Sequence, residues 1–156
     1  MDRPYYILLA DNHRKFCREV KKILEEIPGV KVTGEAGNRR ELLELLKHSP
    51  PQLVILDISL SDLRGREGTQ LIKSNYPDTQ VLLTVLDQGS EYLRQGLAAG
   101  AAGVVQKQHV GGQIAPAINA VRQGKIYLPP QIAGKNSVPM AVPTPTGSGW
   151  RSGNPC

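Results

Sequence analysis

Apolar residues fall into five short runs separated by stretches with helical periodicity. The runs are Tyr5–Ala10, Val30–Ala36, Leu53–Asp57, Gln80–Val85 and Gly103–Gln106. The first, third and fourth runs are almost entirely apolar, which is typical of strands buried on both faces of a parallel sheet. The second run begins by alternating apolar and polar residues, as expected of a half-exposed strand at a sheet edge. The pattern therefore predicts five strands, with the first, third and fourth in the interior.

The stretches between the runs carry apolar residues at the spacing of one helix face. The stripe after the first strand consists of Phe16, Val20, Ile23, Leu24 and Ile27. Pro28 ends that helix, Asn38 is placed to cap the second, and the last helix ends at Gly124. Strands that alternate with helices in this way form a doubly wound parallel sheet. We expect an α/β fold with the flavodoxin-like order 2-1-3-4-5, whose ligand crevice lies between strands one and three.

The composition changes after residue 130. Residues 1–130 carry the alternating pattern and form the predicted folded domain, whereas residues 131–156 are rich in Pro, Gly and Ser, contain no acid and show no periodicity. Such a composition predicts a disordered tail, with Trp150 as its single large apolar side chain.

Cysteine usage, hydropathy and charge limit the class of protein. Cys17 and Cys156 form no spaced disulfide framework, which favours a reduced, cytoplasmic setting. No apolar stretch approaches the roughly 20 residues of a membrane span, so we expect no membrane association. The formal net charge is +5, and Lys135 and Arg151 of the tail contribute two of these charges. The net charge that remains on residues 1–130 is only weak evidence that the protein binds nucleic acid.

Polar residues lie at the ends of the predicted interior strands. Asp11 follows the first strand, Asp57 ends the third, Thr84 is near the end of the fourth, and Lys107 follows the fifth. Parallel strands bring these residues to one edge of the sheet. Two neighbouring carboxylates favour a cation between them, and oxygen ligands suit Mg²⁺. A phosphoryl group at Asp57 would then meet the metal, an ammonium and a hydroxyl, which are the parts that phosphoryl transfer needs.

Each of these residues also has a structural interpretation. Asp57 can cap the segment that follows it, Lys107 can be a surface lysine at a strand end, and Thr84 can be a β-branched strand residue. Asn12 can be a turn former. His13 is interpreted as a residue at a helix start, and not as a base or a metal ligand.

Four motifs in order carry a resemblance to a known family. They are Ile7–Asp11, Leu53–Asp57, Leu82–Thr84 and Gly103–Lys107. With them, residues 4 to about 128 resemble a receiver domain of bacterial two-component response regulators. Ala98–Gly103 and Ala117–Gly124 resemble the NarL/FixJ-type subgroup, which usually carries a LuxR-type helix-turn-helix after the receiver.

The resemblance implies a signalling function. Asp57 would accept a phosphoryl group from a sensor histidine kinase or a phosphotransfer protein, as the nucleophile that forms an acyl phosphate, with Lys107 and Thr84 contacting that group. Mg²⁺ would be held by Asp11, Asn12, Asp57 and the backbone carbonyl of Ser59. The domain would catalyse only its own phosphorylation and dephosphorylation, so it is not expected to be an enzyme in the usual sense.

The same resemblance implies an output through contacts with a downstream protein and leaves open a phosphorylation-dependent homodimer. DNA binding by this chain alone is not expected, because the Pro- and Gly-rich tail is too short to supply a helix pair that enters a groove.

The sequence departs from the family pattern at four positions. The family usually has a second acid at Asn12, often Pro at Ser61 and Pro or Asp at Gln108, and a rotating aromatic at Val104. Asn12 and Val104 favour the alternative of a phosphorylation-independent pseudo-receiver that acts as a protein-interaction module.

Two enzyme classes of related topology do not fit. A phosphatase of the haloacid dehalogenase type needs an acid two residues after its nucleophile, where this chain has Ser59. A flavodoxin needs a phosphate-cradling loop after the first strand, where this chain has Asp11 and the polar residues that follow it.

Overall fold

The protein alternates strands and helices along most of its length. The structure, a computed structural model, describes residues 3–60, 63, 66–86, 91–129 and 140–143, and for 91, 92 and 140–143 it describes the backbone alone. The strands are β1 Tyr5–Ala10, β2 Val30–Ala36, β3 Leu53–Asp57, β4 Gln80–Val85, β5 Gly103–Gln106, β6 Lys125–Leu128 and β7 Met140–Pro143. The helices are α1 Arg14–Glu25, α2 Arg39–His48, α3 Arg66–Asn75, α4 Glu91–Ala98 and α5 Val110–Arg122. A single 3₁₀ turn, Lys107–His109, joins β5 to α5.

The sheet has the order β2-β1-β3-β4-β5-β6-β7. The first six strands are parallel, and β7 pairs with β6 in the antiparallel direction. The predicted order 2-1-3-4-5 is therefore present, and the bounds of those five strands agree with the predicted runs. The predicted number of strands was wrong, because β6 and β7 extend the sheet beyond β5.

The added strand β6 is held by a close approach to β5. Its pairing with β5 rests on Gly103 opposite Tyr127, and the Tyr127 N–H donates to the carbonyl of Ala102 at 3.1 Å. A Cβ at Gly103 would lie 2.7 Å from the carbonyl oxygen of Tyr127. That separation is shorter than real Cβ contacts, so only glycine allows β6 to pair at this position.

The predicted tail contains one described segment. Met140–Pro143 forms β7, which pairs with β6, and the disorder predicted for residues 131–156 stays a prediction. Residues 130–139 and 144–156, including Trp150, lie outside the described residues, and the domain boundary at residue 130 stays a prediction.

The sheet separates two apolar cores. Alternate strand residues face opposite sides, so Leu8 and Val54 pack against α2, α3 and α4, whereas Ile7 and Leu53 pack against α1 and α5. All five residues of β3 are buried, as expected for a central parallel strand. Each buried Leu or Ile of these cores contributes about 1.5–3 kcal/mol.

A side-chain cap marks the start of α2, whereas the start of α1 has none. The Asn38 side chain accepts a hydrogen bond from the Glu41 N–H at 2.9 Å, which confirms the predicted cap of α2. His13 is the residue that precedes the first turn of α1, and its backbone is extended.

Among the described helices, none combines the length and the apolar character needed to cross a membrane.

Candidate functional site

Four of the predicted site residues are buried at the carboxyl edge of the parallel strands. Asp11 is 7%, Asp57 3%, Thr84 0% and Lys107 9% exposed. Asp57 and Thr84 are paired in register on β3 and β4, and the Ile58 N–H donates to the Thr84 carbonyl at 3.1 Å. The end of β3 is thereby held against the end of β4, which brings the carboxylate and the hydroxyl to neighbouring positions.

The Lys107 ammonium bridges the two buried carboxylates. Its Nζ lies 2.6 Å from Asp11 Oδ2 and 3.3 Å from Asp57 Oδ2. The same ammonium lies 4.7 Å from the centre of the Phe16 ring, whose face stabilises a cation. One lysine offsets one of two carboxylate charges, so this group of three side chains keeps a net negative charge that can attract a further cation.

The second oxygen of Asp57 is held by the turn that follows β3. Asp57 Oδ1 accepts hydrogen bonds from the Ser59 backbone N–H and from the Ser59 hydroxyl, both at 3.0 Å. The sequence analysis considered only the backbone carbonyl of Ser59 and missed these contacts. An Asp followed two residues later by Ser is a turn signal that would have revealed them.

His13 takes part in the site through its side chain, which the sequence analysis did not predict. It does precede the first turn of α1, as predicted, and its N–H donates to Asp11 Oδ1 at 2.8 Å. However, its ring Nδ1 lies 2.9 Å from Asp11 Oδ1, 3.7 Å from Asp57 Oδ2 and 3.1 Å from Lys107 Nζ. The half-exposed imidazole therefore covers the solvent side of the buried carboxylates.

The Thr84 hydroxyl is buried and has no hydrogen-bond partner among the described residues. Buried polar atoms almost always have partners, and leaving a hydroxyl without one costs about 1–3 kcal/mol. This unpartnered hydroxyl lies on β4 at the position paired in register with Asp57 of β3.

The remaining predicted residues lie around this centre. Asn12 is exposed and lines a cleft of about 270 Å³ together with Asp11, Glu35 and Glu41. Val104 is fully buried in the core formed with α2, α3 and α4. Ser61 lies outside the described residues.

Cys17 contacts the site from the first turn of α1. Its thiol lies 3.5 Å from the backbone carbonyl of Asp11. Burial, with the nearby charges of Asp11 and Glu35, raises the pKa of the Cys17 thiol to about 11. The thiol therefore stays protonated at neutral pH and acts as a packing residue beneath the carboxylates.

The donor set fits a divalent cation. Ligand atoms of Asp11, His13 and Asp57 all lie within 4.8 Å of one another. Two of the three donors are carboxylate oxygens, which Mg²⁺ prefers, and the half-exposed side of the cluster leaves room for the waters that Mg²⁺ retains.

Comparison with known proteins agrees with this arrangement. Residues 7–119 match the family described as the response regulator receiver domain. The transcriptional regulatory protein DegU of Brevibacillus brevis is 28% identical over 81% of this chain and 53% of its own length. The response regulator UvrY of Escherichia coli K12 is 27% identical over 94% of this chain and 67% of its own length.

The fold also matches solved receiver structures. A LuxR-family two-component response regulator from Aurantimonas is 28% identical with a TM-score of 0.77, over 83% of this chain and 93% of that chain. The chain spans about half to two thirds of the length of the curated relatives named above. Because the family match covers most of the chain, from β1 into α5, this protein belongs to the response regulator receiver family.

Proposed function

We propose that Asp57 is the phosphoacceptor and that a sensor histidine kinase or a phosphotransfer protein is its donor. The observation that carries this proposal is the Thr84 hydroxyl, which is buried without a partner beside the Asp57 carboxylate. A strand position with a purely structural role is filled as well by Val, which has the same shape and no hydroxyl to desolvate.

The chemical step moves a phosphoryl group between two residues. A carboxylate oxygen of Asp57 attacks the phosphorus of a phosphohistidine, the P–N bond breaks, and the donor imidazole leaves. The product is an acyl phosphate on Asp57. Attack by water on that phosphorus later breaks the new P–O bond, which releases inorganic phosphate and restores the carboxylate.

The buried residues around Asp57 stabilise this transfer by charge and position. The Lys107 ammonium, 3.3 Å from Asp57 Oδ2, is within reach of the phosphoryl oxygens, and Thr84 donates its hydroxyl to one of them. Phosphoryl transfer depends mainly on such positioning and charge stabilisation. The two hydrogen bonds from Ser59 fix the orientation of the carboxylate before the donor arrives.

Asp11 and Asp57 would hold Mg²⁺, with Asn12 and the Ser59 carbonyl as further oxygen ligands. When bound, Mg²⁺ supplies charge neutralisation for the phosphoryl oxygens. An amide at Asn12 offers a dipole where a second acid would offer a full charge, so this site should bind Mg²⁺ more weakly than a receiver with two acids.

The phosphorylation-independent alternative is not favoured, because Asp57, Thr84 and Lys107 are all retained in a chain of the receiver family. The domain would act on its own carboxylate without turning over a separate substrate. Its output would pass through contacts with a downstream protein, in the cytoplasm, with a homodimer as one possible form. That this chain alone does not bind DNA stays a prediction.

Incubation with a small phosphodonor such as phosphoramidate and Mg²⁺, followed by intact-mass measurement, tests the proposal. The wild-type protein should gain the mass of one phosphoryl group, and Asp57→Asn should abolish the gain. Asp78→Asn, at an exposed acid after α3, is the matched control and should be phosphorylated like the wild type. An undiminished gain in Asp57→Asn would mean that another residue is the acceptor.

A further inference from the structure

A buried pair of amide side chains joins the end of β5 to the first turns of α5. Gln113 Oε1 accepts a hydrogen bond from the Gln106 backbone N–H at 2.8 Å, and Gln113 Nε2 donates to Gln106 Oε1 at 2.9 Å. Gln106 is 3% and Gln113 9% exposed. Because the backbone N–H can only donate, a single orientation of the Gln113 amide satisfies both bonds.

A side chain takes the place of a neighbouring strand at the end of β5. Among the described residues, β6 pairs with β5 at Gly103, whereas the Gln106 N–H bonds to a side chain of α5. A buried N–H without an acceptor is costly, so the end of β5 depends on Gln113 for this bond. The pair therefore fixes the end of β5 against α5 in one arrangement.

Lys107 begins where this pair holds the chain. It follows Gln106 directly and starts the 3₁₀ turn that leads into α5, and its Nζ reaches to 3.3 Å from Asp57 Oδ2. A second anchor follows Lys107, since Gln108 Nε2 donates to the Leu86 carbonyl at 2.7 Å, but this bond is exposed. Water can replace an exposed hydrogen bond more readily than a buried one. The buried pair is therefore the stronger anchor of the Lys107 backbone.

The first turn of α5 has little helical stability of its own. Gly111 and Gly112 lie in it, and a Cβ at either position would meet nothing within 4 Å. Pro116 lacks the N–H that would bond to the Gly112 carbonyl, and His109 makes no side-chain cap bond. Glycine and an internal proline both lower helix stability. The hydrogen bonds of Gln113 are thus a main fastening of this turn to β5.

We propose that Gln113 is a positioning residue for phosphoryl transfer to Asp57. By holding Gln106, it fixes the backbone from which the Lys107 ammonium reaches the phosphoryl oxygens. Gln113 acts through Lys107 and not by contact with the reacting atoms. The proposal rests on the proposed function, which makes Asp57 the acceptor and Lys107 the cation that meets the phosphoryl group.

An apolar pair at these two positions would fill the same space without fixing the same geometry. Apolar contacts are non-directional, so they would allow α5 to slide slightly against β5. Two buried hydrogen bonds of fixed polarity allow one arrangement only. Phosphoryl transfer is sensitive to this difference, because a displacement of about 1 Å can lower a rate on the order of a hundredfold.

Phosphorylation kinetics measure the effect on the transfer. The wild type and Gln113→Met, which keeps the length of the side chain and removes both hydrogen bonds, are incubated with phosphoramidate and saturating MgCl₂ and followed by intact mass. Gln113→Met should lower the rate constant by about fivefold or more. In a Lys107→Ala background the same substitution should change the rate constant by less than about twofold, because no ammonium is left to misplace.

Thr79→Val is the matched control for a loss of stability. It removes another buried hydrogen bond, from the Thr79 hydroxyl to the Pro51 carbonyl, next to the opposite end of β4 from the site. Its rate constant should stay within about twofold of the wild type, because the effect of a distant substitution does not couple to Lys107.

The ¹⁵Nζ resonance of Lys107 gives a readout that needs no phosphodonor, and its absence in Lys107→Ala assigns it. In Gln113→Met it should move toward the resonances of exposed lysines, because the contacts of the ammonium with Asp11 and Asp57 loosen. Thr79→Val should leave it in place. Should Gln113→Met fail to fold, Gln113→Glu replaces it. Its carboxylate keeps an acceptor for the Gln106 N–H but no donor for Gln106 Oε1, so it should show the same changes at smaller size.

An unchanged rate constant, an equal fall in the Lys107→Ala background or an unmoved Lys107 resonance would overturn the proposal. The two proposals fail separately. If Asp57 is phosphorylated and Gln113→Met matches the wild type, only the positioning role is refuted. If no phosphodonor modifies Asp57 but Gln113→Met moves the Lys107 resonance, Gln113 does position Lys107 and the phosphoacceptor assignment is wrong.

Discussion

Replacing Thr84 by Val should stabilise the protein against unfolding and at the same time weaken its response to a phosphoryl group. Val has nearly the shape of Thr and lacks the hydroxyl, which in Thr84 is fully buried without a partner among the described residues. The substitution therefore removes a desolvated polar atom from β4 without opening a cavity.

The size of the effect follows from the cost of that atom. A buried hydroxyl without a hydrogen bond costs about 1–3 kcal/mol, and β-branched Val is as favourable in a strand as Thr. We expect the free energy of unfolding to rise by about 1–2 kcal/mol. For a domain of this size that corresponds to an increase in Tm of roughly 3–6 °C.

Two other buried threonines provide matched controls. The Thr79 hydroxyl donates to the Pro51 carbonyl at 2.7 Å, so Thr79→Val should lower the free energy of unfolding by about 1–2 kcal/mol. The Thr69 hydroxyl in α3 is buried without a partner among the described residues, so Thr69→Val should stabilise as Thr84→Val does. Only Thr84→Val should alter the response to phosphorylation.

Urea unfolding of the three variants measures the stability change, first in buffer alone and then with Mg²⁺ and beryllofluoride as an unreactive mimic of the acyl phosphate. The mimic should stabilise the wild type and Thr69→Val by similar amounts and Thr84→Val by clearly less. Destabilisation of Thr84→Val to the same extent as Thr79→Val would refute the reasoning, because it would show that the Thr84 hydroxyl already makes a hydrogen bond.

Three further predictions follow from charge, packing and burial. Asn12→Asp should tighten Mg²⁺ binding by on the order of 1 kcal/mol in a calorimetric titration, because it adds a carboxylate charge. An unchanged affinity would mean that the side chain of residue 12 does not face the bound cation. Val104→Tyr should enlarge the amide chemical-shift changes in α4, β5 and α5 on adding beryllofluoride. The buried Val104 side chain is too short and too stiff to move into the space that a displaced Thr84 vacates. Large cooperative shift changes with Val104 in place would contradict this prediction. Burial raises the pKa of Tyr5 to about 12, and the nearby Arg122 charge, which lowers this pKa, offsets only part of that effect. The folded state therefore holds the phenol proton more tightly than the unfolded state, in which the pKa of tyrosine is about 10. The contribution of this phenol to the free energy of unfolding should be complete below about pH 10 and should be lost as the pH rises toward 12. Urea unfolding across this pH range should therefore show a smaller fall in the free energy of unfolding for Tyr5→Phe than for the wild type.

The sequence predicts the parts of the fold that depend on local pattern. The bounds of β1 to β5 follow from apolar runs that end at turn residues, and the cap at Asn38 follows from a single side chain. The common edge of Asp11, Asp57 and Lys107 follows from parallel topology alone, because the carboxyl ends of such strands meet.

Two of the features that were missed depend on contacts between distant residues. The ring of His13 is placed by Asp11 and by Lys107, and no local pattern reports which way a half-exposed side chain turns. Strand β6 is only four residues long and depends on the close approach to Gly103, which the sequence shows only as one more glycine.

That approach at Gly103 also determines which strand forms the margin of the sheet. If β5 were the last strand, its outer N–H and C=O groups would offer a template for the strand of another molecule. With β6 and β7 in place, the outermost strand is instead β7, whose last residue, Pro143, has no N–H to donate. At the opposite margin, β2 exposes the charged side chains of Lys31 and Glu35. A substitution at Gly103 should therefore displace β6 and make β5 an edge strand. The exposed backbone groups of β5 could then pair with an edge strand of another molecule, which leads to aggregation.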